Sequence, residues 1–384
     1  MIRHENYHHN FFYPPLIGGV GEVVARHAMG LTALGHEVTV VTESCASRTA
    51  ENISAGVAVV NFDVKGSGNL RTGYTGEIEK YQNYLLSSNL DAIVCHCLQT
   101  WSTDLAVSVF NRISAAKVLV SHGVSVNTIL KFPRNLYNWL AWRPYAWRLP
   151  EILQAFDHVV FLSDKADRDR FYDRTIELQL GLKRLSTIPN GADLVCREQV
   201  GSNFRAAQCI TTKYLILSIS NFNPLKNQLA AIEAFAVTGN IDATLVFIGE
   251  AYNNYSQQML DLSERLGIRA RVKILQFTGS AMKDAALGCA GLYLLTSRTE
   301  VQPLVILEAM GAGVPFISFN VGCIDEIPGG VVVQNAQQMG KNICQLLANG
   351  EVLRRLGREG QQAVQDKYNW ESIVGNYERL LKSL

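Results

Sequence analysis

The sequence has almost no net charge and no long hydrophobic run. Its 384 residues include 35 Lys and Arg against 34 Asp and Glu, a balance that argues against binding nucleic acid through bulk charge. The first ten residues, MIRHENYHHN, lack the apolar core of a secretory signal, and no uninterrupted stretch of about 18 apolar residues occurs. We therefore expect a cytoplasmic protein with no nucleic-acid partner and no spanning helix.

The cysteines lack the clustered spacing of a metal site or a disulfide framework. Of the eight cysteines, only Cys95 and Cys97 lie close together, on either side of His96 in a strand-like segment. A Cys-His-Cys run could suggest a metal site, but neighbouring residues of a strand point to alternating faces and do not converge on one ion. The pattern favours buried thiols, and no metal is expected.

Length and patterning predict two α/β domains. A chain of 384 residues exceeds what one hydrophobic core usually spans, and apolar strand-like runs alternate with helical stretches, which predicts parallel sheets. A polar connection at 190–208 separates two series of such runs, so we expect domains at 1–200 and 205–366. The predicted strands are 37–42, 57–64, 91–97, 117–123 and 158–163 in the first series, and 214–220, 243–250, 271–277, 291–297, 315–319 and 330–334 in the second.

A glycine cluster, PPLIGGVGEVV, precedes an amphipathic helix near the start of the chain. Gly18, Gly19 and Gly21 predict a tight turn whose following helix offers backbone amides to a phosphate. The segment approximates G-x-G-x-x-G, and Glu43 lies where a dinucleotide-binding acid belongs, so an NAD-dependent oxidoreductase is one interpretation. The match is incomplete, because Val24 stands where the third glycine should.

Two carboxylates, Glu300 and Glu308, flank the segment VQPLVIL. The run at 290–297 predicts a strand, Pro303 opens a helix through residue 313 with Gly311 or Gly313 as its C-cap, and 314–319 predicts the next strand. Both carboxylates then lie beyond the carboxyl end of a parallel strand, where open α/β sheets bind ligands. They could accept hydrogen bonds from sugar or ribose hydroxyls. The alternative is a partner of the helix dipole and a solvated helix residue.

Taken together, the motifs resemble those of the GT-B fold glycosyltransferases in the retaining family called glycosyl transferases group 1, or family 4. The resemblance extends from about Phe11 to the C-terminus and rests on several motifs in order. The matching segments are NFFYPPLIGGVGE, VLVSHG, IPNGADL (188–194), ISNFNPLKN (219–227), EVQPLVILE and KYNWESIVGNYERLLKSL (367–384). The resemblance implies two Rossmann-like domains that face a central cleft, with a C-terminal helix at 367–384 crossing back to the first domain.

The resemblance also implies a nucleotide-sugar substrate, a UDP- or GDP-sugar, and roles for individual residues. Glu308 would bind the ribose hydroxyls, Glu300 the hydroxyls of the donor sugar, and Lys226 the diphosphate. His122 would lie beside the donor sugar and the acceptor, so the implied catalytic residues are His122, Lys226 and Glu300. The remaining implied donor-binding residues are Gly18, Gly19, Asn221, Gln276, Phe277, Gln302, Leu304 and Val305.

The implied chemistry is retaining and independent of metal, because a lysine, backbone amides and a helix N-terminus can stabilise the departing phosphates. No cofactor is expected. An Asp-Arg-Asp run at 167–169 resembles the metal-binding D-x-D of another glycosyltransferase fold, but its charged surroundings predict a solvated helix face. The expected acceptor is a glycan or a lipid-linked glycan in bacterial lipopolysaccharide, O-antigen or capsule assembly.

Three departures from the family pattern stand out. Asn221 replaces an arginine that many members pair with the lysine, Val301-Gln302-Pro303 replaces Gly-Phe-Gly, and the first strand region at 3–9 is polar. Asn221 is also the one hint of a pseudotransferase that binds the donor without turnover.

Residues 130–150 are rich in tryptophan and arginine. Between Asp104 and Glu151 the sequence has six Lys or Arg and no acidic residue, and such a composition is typical of a bilayer interface with anionic lipid. The alternative is an aromatic surface that lines the acceptor cleft or packs within the domain. The residues predicted to contact membrane or acceptor are Arg134, Trp139, Trp142, Arg143, Trp147 and Arg148.

Overall fold

The structure is a computed structural model. It describes residues 2–5 by their backbone, residue 13, and residues 18–45, 56–127, 136–167, 169–196 and 203–384. The chain divides into two compact units, one formed by residues 1–190 and 370–384 and the other by residues 191–369.

The first unit is built on a parallel sheet. Seven strands are described in it, in the order β3-β2-β1-β6-β7-β8-β9, and β4 and β5 form a separate antiparallel hairpin. The strands are β1 (Ile2–Glu5), β2 (Val38–Glu43), β3 (Val57–Phe62), β4 (Val64–Ser67), β5 (Gly73–Gly76), β6 (Ala92–His96), β7 (Ala116–Ser121), β8 (His158–Phe161) and β9 (Leu185–Thr187). The polar start of the chain therefore forms a short strand of four residues, and β1 pairs with both β2 and β6 inside the sheet.

Helices of the first unit follow its strands along the chain. They are Gly19–Ala33, Ile78–Ser87, Trp101–Val107, Leu136–Ala141, Arg143–Gln154 and Tyr172–Leu180, with a 3₁₀ turn at Phe110–Arg112 and the C-terminal helix Trp370–Lys382. That last helix packs on Gly19–Ala33, where Gly30 lies close to Val374 and His36 Nε2 is 3.0 Å from Glu378 Oε1. Within the described ranges, none of the helices combines the length and the apolar character needed to cross a bilayer.

The second unit contains a second parallel sheet. Its described strands number six, in the order β12-β11-β10-β13-β14-β15. They are β10 (Tyr214–Ile219), β11 (Ala243–Gly249), β12 (Val272–Gln276), β13 (Leu292–Leu295), β14 (Phe316–Phe319) and β15 (Gly330–Val333). The helices are Phe204–Ala207, Gln228–Val237, Asn254–Arg265, Ser280–Cys289, Leu304–Gly311, Ala336–Ala348 and Gly350–Ala363, with 3₁₀ turns at Arg269–Arg271 and Ile324–Glu326 and a π-helix at Val364–Tyr368. The predicted α/β class with parallel sheets is confirmed.

The strand order of each sheet reverses once, at a topological switch point. In the second unit, β10 lies between β11 and β13, so the chain leaves β10 and β13 toward opposite sides of the sheet. In the first unit, β1 lies between β2 and β6 in the same way. Loops that follow such strands separate at the carboxyl edge and open a crevice, which is the usual ligand position in this class.

The segment after residue 190 packs with the second unit. Val195 N donates to the Gly311 carbonyl oxygen at 3.0 Å, and a Cβ on Gly311 would overlap the carbonyl oxygen of Asp193. The boundary that we predicted at 200–205 therefore lies inside the second unit, which begins at Gly191.

The helix between the two carboxylates is shorter than predicted. It spans Leu304–Gly311, and Pro303 is its N-cap rather than its first helical residue. Of the two candidate glycines, Gly313 has the left-handed conformation, with φ of +65°, whereas Gly311 ends the helix. Gly311 is instead explained by the backbone of Asp193, which passes where a side chain would lie.

We predict that Gly311→Ala destabilises the second unit, because the added methyl group must displace the backbone of Asp193. Overpacking of this kind costs about 1–3 kcal/mol, so the midpoint of thermal unfolding should fall by about 3 °C or more. Gly291→Ala is the matched control, since its Cβ would meet its nearest neighbour at an ordinary 3.6 Å. Equal melting temperatures for both variants would contradict this packing.

Candidate active site

Lys226 and Glu300 meet at the carboxyl edge of the second sheet. Lys226 lies on the loop after β10 and Glu300 on the loop after β13, and Lys226 Nζ is 2.6 Å from Glu300 Oε1. Their side chains are 32% and 14% exposed, so the pair is partly shielded from water. The two loops that separate at the switch point therefore carry a paired cation and anion.

The loop that carries Lys226 is shaped by Asn223. The side-chain oxygen of Asn223 accepts from the amides of Leu225 and Lys226 at 3.0 and 3.1 Å, an Asx-type turn. Asn227 then has a left-handed backbone, with φ of +55°, before the helix Gln228–Val237 begins. The exposed Asn221 lies on the same loop, and its carbonyl oxygen accepts from Gln228 Nε2 at 3.0 Å.

The loop that carries Glu300 is fixed at two places. Arg298 N donates to the Leu225 carbonyl oxygen at 2.8 Å, which ties this loop to the one that carries Lys226. Cys323 N donates to the Val301 carbonyl oxygen at 2.9 Å, and a Cβ on Gly322 would overlap that same oxygen. Val301 and Gln302, which replace part of the family's Gly-Phe-Gly, are both buried.

A second ion pair holds Glu308. Lys283 Nζ contacts Glu308 Oε1, and the two side chains are only 19% and 17% exposed. Lys283 lies on the helix Ser280–Cys289, and sequence reasoning missed it. The available signal was weak, namely a lysine in the first turns of the helix that follows Gln276 and Phe277.

Tyr293 lies in β13 near both carboxylates. Its buried hydroxyl donates to the Ile219 carbonyl oxygen at 3.0 Å and accepts from Ile219 N at 2.9 Å. Burial raises the pKa of Tyr293, and the negative charges of Glu308 and Glu300 raise it further against the effect of the Ile219 backbone. Burial is the main cause of the upward shift, and the two carboxylates make smaller contributions in the same direction.

The other predicted residues of the second unit also lie at this edge of the sheet. Gln276 is the last residue of β12 and is exposed, and Phe277 N donates to the Gly249 carbonyl oxygen at 2.7 Å. Leu304 and Val305 are the first residues of the helix Leu304–Gly311 and are half-buried.

His122 lies in the first unit, directly after β7. Its Nε2 is 3.2 Å from Nδ1 of His96, the last residue of β6. Burial, together with the nearby Arg170 guanidinium, lowers the pKa of His122 to about 3. His122 is therefore neutral at physiological pH.

The glycine cluster is described only from Gly18 onward. Gly18 is the N-cap of the helix Gly19–Ala33, and its carbonyl oxygen accepts from Glu22 N at 3.0 Å. Gly19 is the first helical residue and is exposed, and residues 14–17 lie outside the described residues.

The tryptophan-rich stretch divides into a structural part and an exposed part. The Arg143 guanidinium lies 4.2 Å from the Trp139 ring centroid and donates to Asn127 Oδ1 at 2.8 Å, so it supports the fold. Trp142 packs edge-on against Tyr145 at 5.6 Å between ring centroids. Trp147 is 75% exposed and Arg148 is also exposed. Arg134 lies outside the described residues.

Two sequence features that suggested metal are accounted for by structure. Cys95 and Cys97 are buried, as predicted, and burial raises the pKa of the Cys97 thiol to about 12. The prediction of a helix face at 167–169 was wrong: Asp167 precedes the helix Tyr172–Leu180 and accepts from the amides of Asp169 and Phe171 at 2.8 and 2.9 Å. Across the described part of the chain, no three His, Cys, Asp or Glu side chains are grouped to hold a metal ion.

Two characterised relatives are similar to this chain. N-acetyl-alpha-D-glucosaminyl L-malate synthase of Bacillus anthracis is 31% identical over 173 residues, which are 43% of this chain and 44% of that protein. The chain thus spans less than half the length of this relative. Alpha-monoglucosyldiacylglycerol synthase of Acholeplasma laidlawii is 22% identical over 370 residues, which are 91% of this chain and 89% of that protein.

Several solved structures share the fold. Sucrose-phosphate synthase of Thermosynechococcus elongatus has a TM-score of 0.80 at 17% identity and covers 100% of this chain and 98% of its own. Anabaena Alr3699/HepE in complex with UDP-glucose has a TM-score of 0.74 at 17% identity, with 100% and 99% covered. WaaG, a glycosyltransferase involved in lipopolysaccharide biosynthesis, has a TM-score of 0.73 at 18% identity, with 100% of both chains covered. These matches confirm the GT-B fold.

Family models match both halves of the chain. Residues 17–195 match Glycosyltransferase Family 4, and residues 202–363 match Glycosyl transferases group 1. The matches do not favour the oxidoreductase alternative raised by the glycine cluster. The chain therefore belongs to the glycosyltransferases, with a family 4 segment followed by a group 1 segment.

Proposed function

We propose that this glycosyltransferase moves a sugar from a UDP- or GDP-sugar to a glycan or lipid-linked acceptor, with retention of configuration and without a metal ion. The observation that carries the proposal is the arrangement at the carboxyl edge of the second sheet. There the loops after β10 and β13 bring Lys226 within 2.6 Å of Glu300, and Glu308 lies on the following helix.

The donor would replace the contact between Lys226 and Glu300. A diphosphate offers the lysine a doubly charged partner, and sugar hydroxyls offer the released carboxylate hydrogen-bond donors. Glu308 would then accept from the ribose hydroxyls, with the base near Gln276 and Phe277. The similar HepE protein was solved in complex with UDP-glucose, which supports a nucleotide-sugar donor here.

Bond breaking would place new negative charge on the departing diphosphate. The bond between the anomeric carbon and the phosphate oxygen breaks, and the acceptor oxygen forms its new bond from the same face. The acceptor proton passes to the departing phosphate oxygen, so charge and atoms balance. Lys226 and the amides in the first turn of the helix Leu304–Gly311 are suited to stabilise that charge, and His122 would orient the sugar and acceptor as a neutral group.

The acceptor would lie at the cytoplasmic face of an anionic membrane, within lipopolysaccharide, O-antigen or capsule assembly. The names of two similar proteins, a diacylglycerol glucoside synthase and a lipopolysaccharide glycosyltransferase, support this pathway. So do exposed apolar side chains of the first unit, which we name together the apolar surface. Its members are Leu70, Leu136, Tyr137, Leu140 and Trp147, all at least 38% exposed.

Three elements contribute to that surface, namely the β4–β5 hairpin, the helix Leu136–Ala141 and the helix Arg143–Gln154, which carries Trp147. Leu70 lies at the tip of the β4–β5 hairpin, and its amide donates to the Ala141 carbonyl oxygen at 3.1 Å, which joins the tip to the helix Leu136–Ala141. Arg71 and Arg148 are exposed beside these apolar residues. Apolar side chains together with cations suit the headgroup region of an anionic bilayer.

A pseudotransferase is the second candidate, and the exposed, neutral Asn221 is the observation that favours it. Donor binding without measurable release of nucleoside diphosphate in the presence of acceptor would select it over the enzyme.

We predict that Glu300→Ala lowers kcat by about two orders of magnitude or more, since a contact to the reacting sugar should strengthen in the transition state. Glu308→Gln should mainly raise the donor KM, because the ribose does not react. Steady-state kinetics of nucleoside diphosphate release measures both effects. The control is Glu264→Ala, which removes an exposed carboxylate near the C-terminal end of the helix Asn254–Arg265. This variant should match the unmodified protein. Equal changes of kcat and KM in the two site variants would contradict the assignment.

Metal independence predicts that activity persists after treatment with EDTA and dialysis. Lys226 and backbone amides would carry out the charge stabilisation that a divalent cation otherwise provides. The measurement is turnover with and without chelator, followed by addition of Mg²⁺ or Mn²⁺. Loss of turnover in EDTA that either cation restores would refute this part of the proposal.

The membrane surface predicts salt-sensitive co-sedimentation with vesicles of anionic but not zwitterionic lipid. Each cation near such a surface contributes about 1 kcal/mol, so the double variant Arg71→Glu/Arg148→Glu should bind at least about 30-fold more weakly. Trp147→Ser should also weaken binding. Arg143 is unsuitable for this test because it is bonded within the fold.

The control for charge is Lys341→Glu, an exposed lysine of the second unit, which should bind vesicles normally. All variants should keep their affinity for the donor. If the unmodified protein does not co-sediment with anionic vesicles at low salt, the membrane proposal is wrong and the apolar surface serves a soluble acceptor or another protein.

A further inference from the structure

Lys283 and Glu308 form an ion pair that is costly to bury. Their side chains are 19% and 17% exposed, whereas a surface pair of the same unit, Arg355 and Glu359, is 58% and 42% exposed. Removing two charges from water costs free energy that their attraction only partly offsets, so a buried pair is weak evidence of a role in stability. A functional reason for this lysine is therefore worth seeking.

The pair joins two helices that begin at the same edge of the sheet. Lys283 lies on Ser280–Cys289, which follows the segment proposed to bind the base, and Glu308 lies on Leu304–Gly311. Lys226 is engaged elsewhere, since its Nζ contacts Glu300. Each proposed donor-binding carboxylate thus has its own lysine, and the two lysines come from different elements.

We propose that Lys283 is a positioning residue that orients the Glu308 carboxylate toward the ribose of the donor. This inference rests on the proposed function, in which Glu308 accepts from the ribose hydroxyls. An ionised carboxylate has about four acceptor positions, and an ammonium group only donates. Lys283 occupies a position on Oε1, which leaves Oε2 and the rest of Oε1 for the hydroxyls of the ribose.

The ammonium group of Lys283 also keeps the Glu308 carboxylate in the orientation needed to accept from the ribose. A largely buried carboxylate that loses its cation is destabilised and will rotate toward water or toward other donors. The cost should therefore appear in recognition of the ribose hydroxyls, and not as a general loss of nucleotide affinity. A lysine that only held the two helices together would weaken every nucleotide equally.

The test compares nucleotides that have or lack these hydroxyls. Isothermal titration calorimetry measures Kd for UDP and 2′,3′-dideoxy-UDP and for GDP and 2′,3′-dideoxy-GDP, and the base that the unmodified protein binds more tightly is used for all variants. A hydrogen bond to a charged group is worth about 1.5–3 kcal/mol, so the unmodified protein should prefer the ribonucleotide by about tenfold or more.

Lys283→Met keeps an unbranched side chain that is one atom shorter and removes the charge. It should weaken binding of the ribonucleotide about tenfold and binding of the dideoxynucleotide less than about twofold, so the preference for the ribonucleotide largely disappears. Lys283→Arg should restore most of the preference, and Lys341→Met, at an exposed position, should not change it. In steady-state kinetics with varied donor concentration, Lys283→Met should raise the donor KM and leave kcat within about threefold.

The outcomes separate this inference from the proposed function. If Glu308→Gln abolishes the preference for the ribonucleotide but Lys283→Met retains it with an unchanged melting temperature, Lys283 is not a positioning residue. Equal weakening of both nucleotides by Lys283→Met would also overturn the inference. If the unmodified protein binds neither nucleoside diphosphate, or binds both forms equally, the proposed role of Glu308 fails and the inference fails with it.

Discussion

The site in the second unit depends on how the ladder between β10 and β13 ends. These two strands pair at only two positions, Ile216 with Leu292 and Leu217 with Tyr293, whereas β10 and β11 pair along six. Beyond that short ladder the backbone of Ile219 would lack a partner on this side, and a buried unpaired peptide group is costly. The Tyr293 hydroxyl replaces the missing strand by both donating to and accepting from Ile219. The two loops can therefore separate while the strands beneath them remain joined.

The separation of the loops after β10 and β13 determines which charged side chains come into contact. The loop after β10 ends in a helix whose N-terminus disfavours a cation, yet Lys226 lies just before it. Its Nζ contacts Glu300 from the loop after β13, so the charge that is unfavourable on one element is neutralised from the other. The same holds for Glu308, which is neutralised by Lys283 from a neighbouring helix. A negatively charged, hydroxyl-rich ligand could replace the first contact, whereas the second leaves acceptor positions on Glu308 open to hydroxyl groups.

Features fixed by local spacing could be predicted from the sequence, and features fixed by distant contacts could not. The alternation of strands and helices, the position of Glu300 beyond β13 and the burial of Cys95 follow from short segments, and the structure agrees with all three. The partner of Glu308 is 25 residues away in the sequence, and nothing in the pattern around either residue indicates the pair. The local sequence suggests Gly311 as a helix C-cap. The structure shows instead that a glycine is needed there because the backbone of Asp193 lies where a side chain would be. The tryptophan-rich stretch shows the same limit, since Arg143 and Arg148 look equivalent in one basic and aromatic run. In the structure Arg143 donates to Asn127, which lies outside that run, whereas Arg148 is exposed.

The pairing of charges at the edge of the second sheet also bears on how a donor would be recruited. The two lysine–carboxylate pairs each balance their charges before any ligand binds, and the whole chain carries a formal net charge of only +1. A long-range field to attract an anionic donor is therefore weak, and steering by bulk charge contributes little. Affinity must come instead from exchange at short range, in which a diphosphate takes Lys226 from Glu300 and the freed carboxylate accepts from the sugar. Such an exchange favours a ligand that supplies both an anion and hydroxyl groups, because a bare anion would leave Glu300 unpaired in a site that is mostly shielded from water.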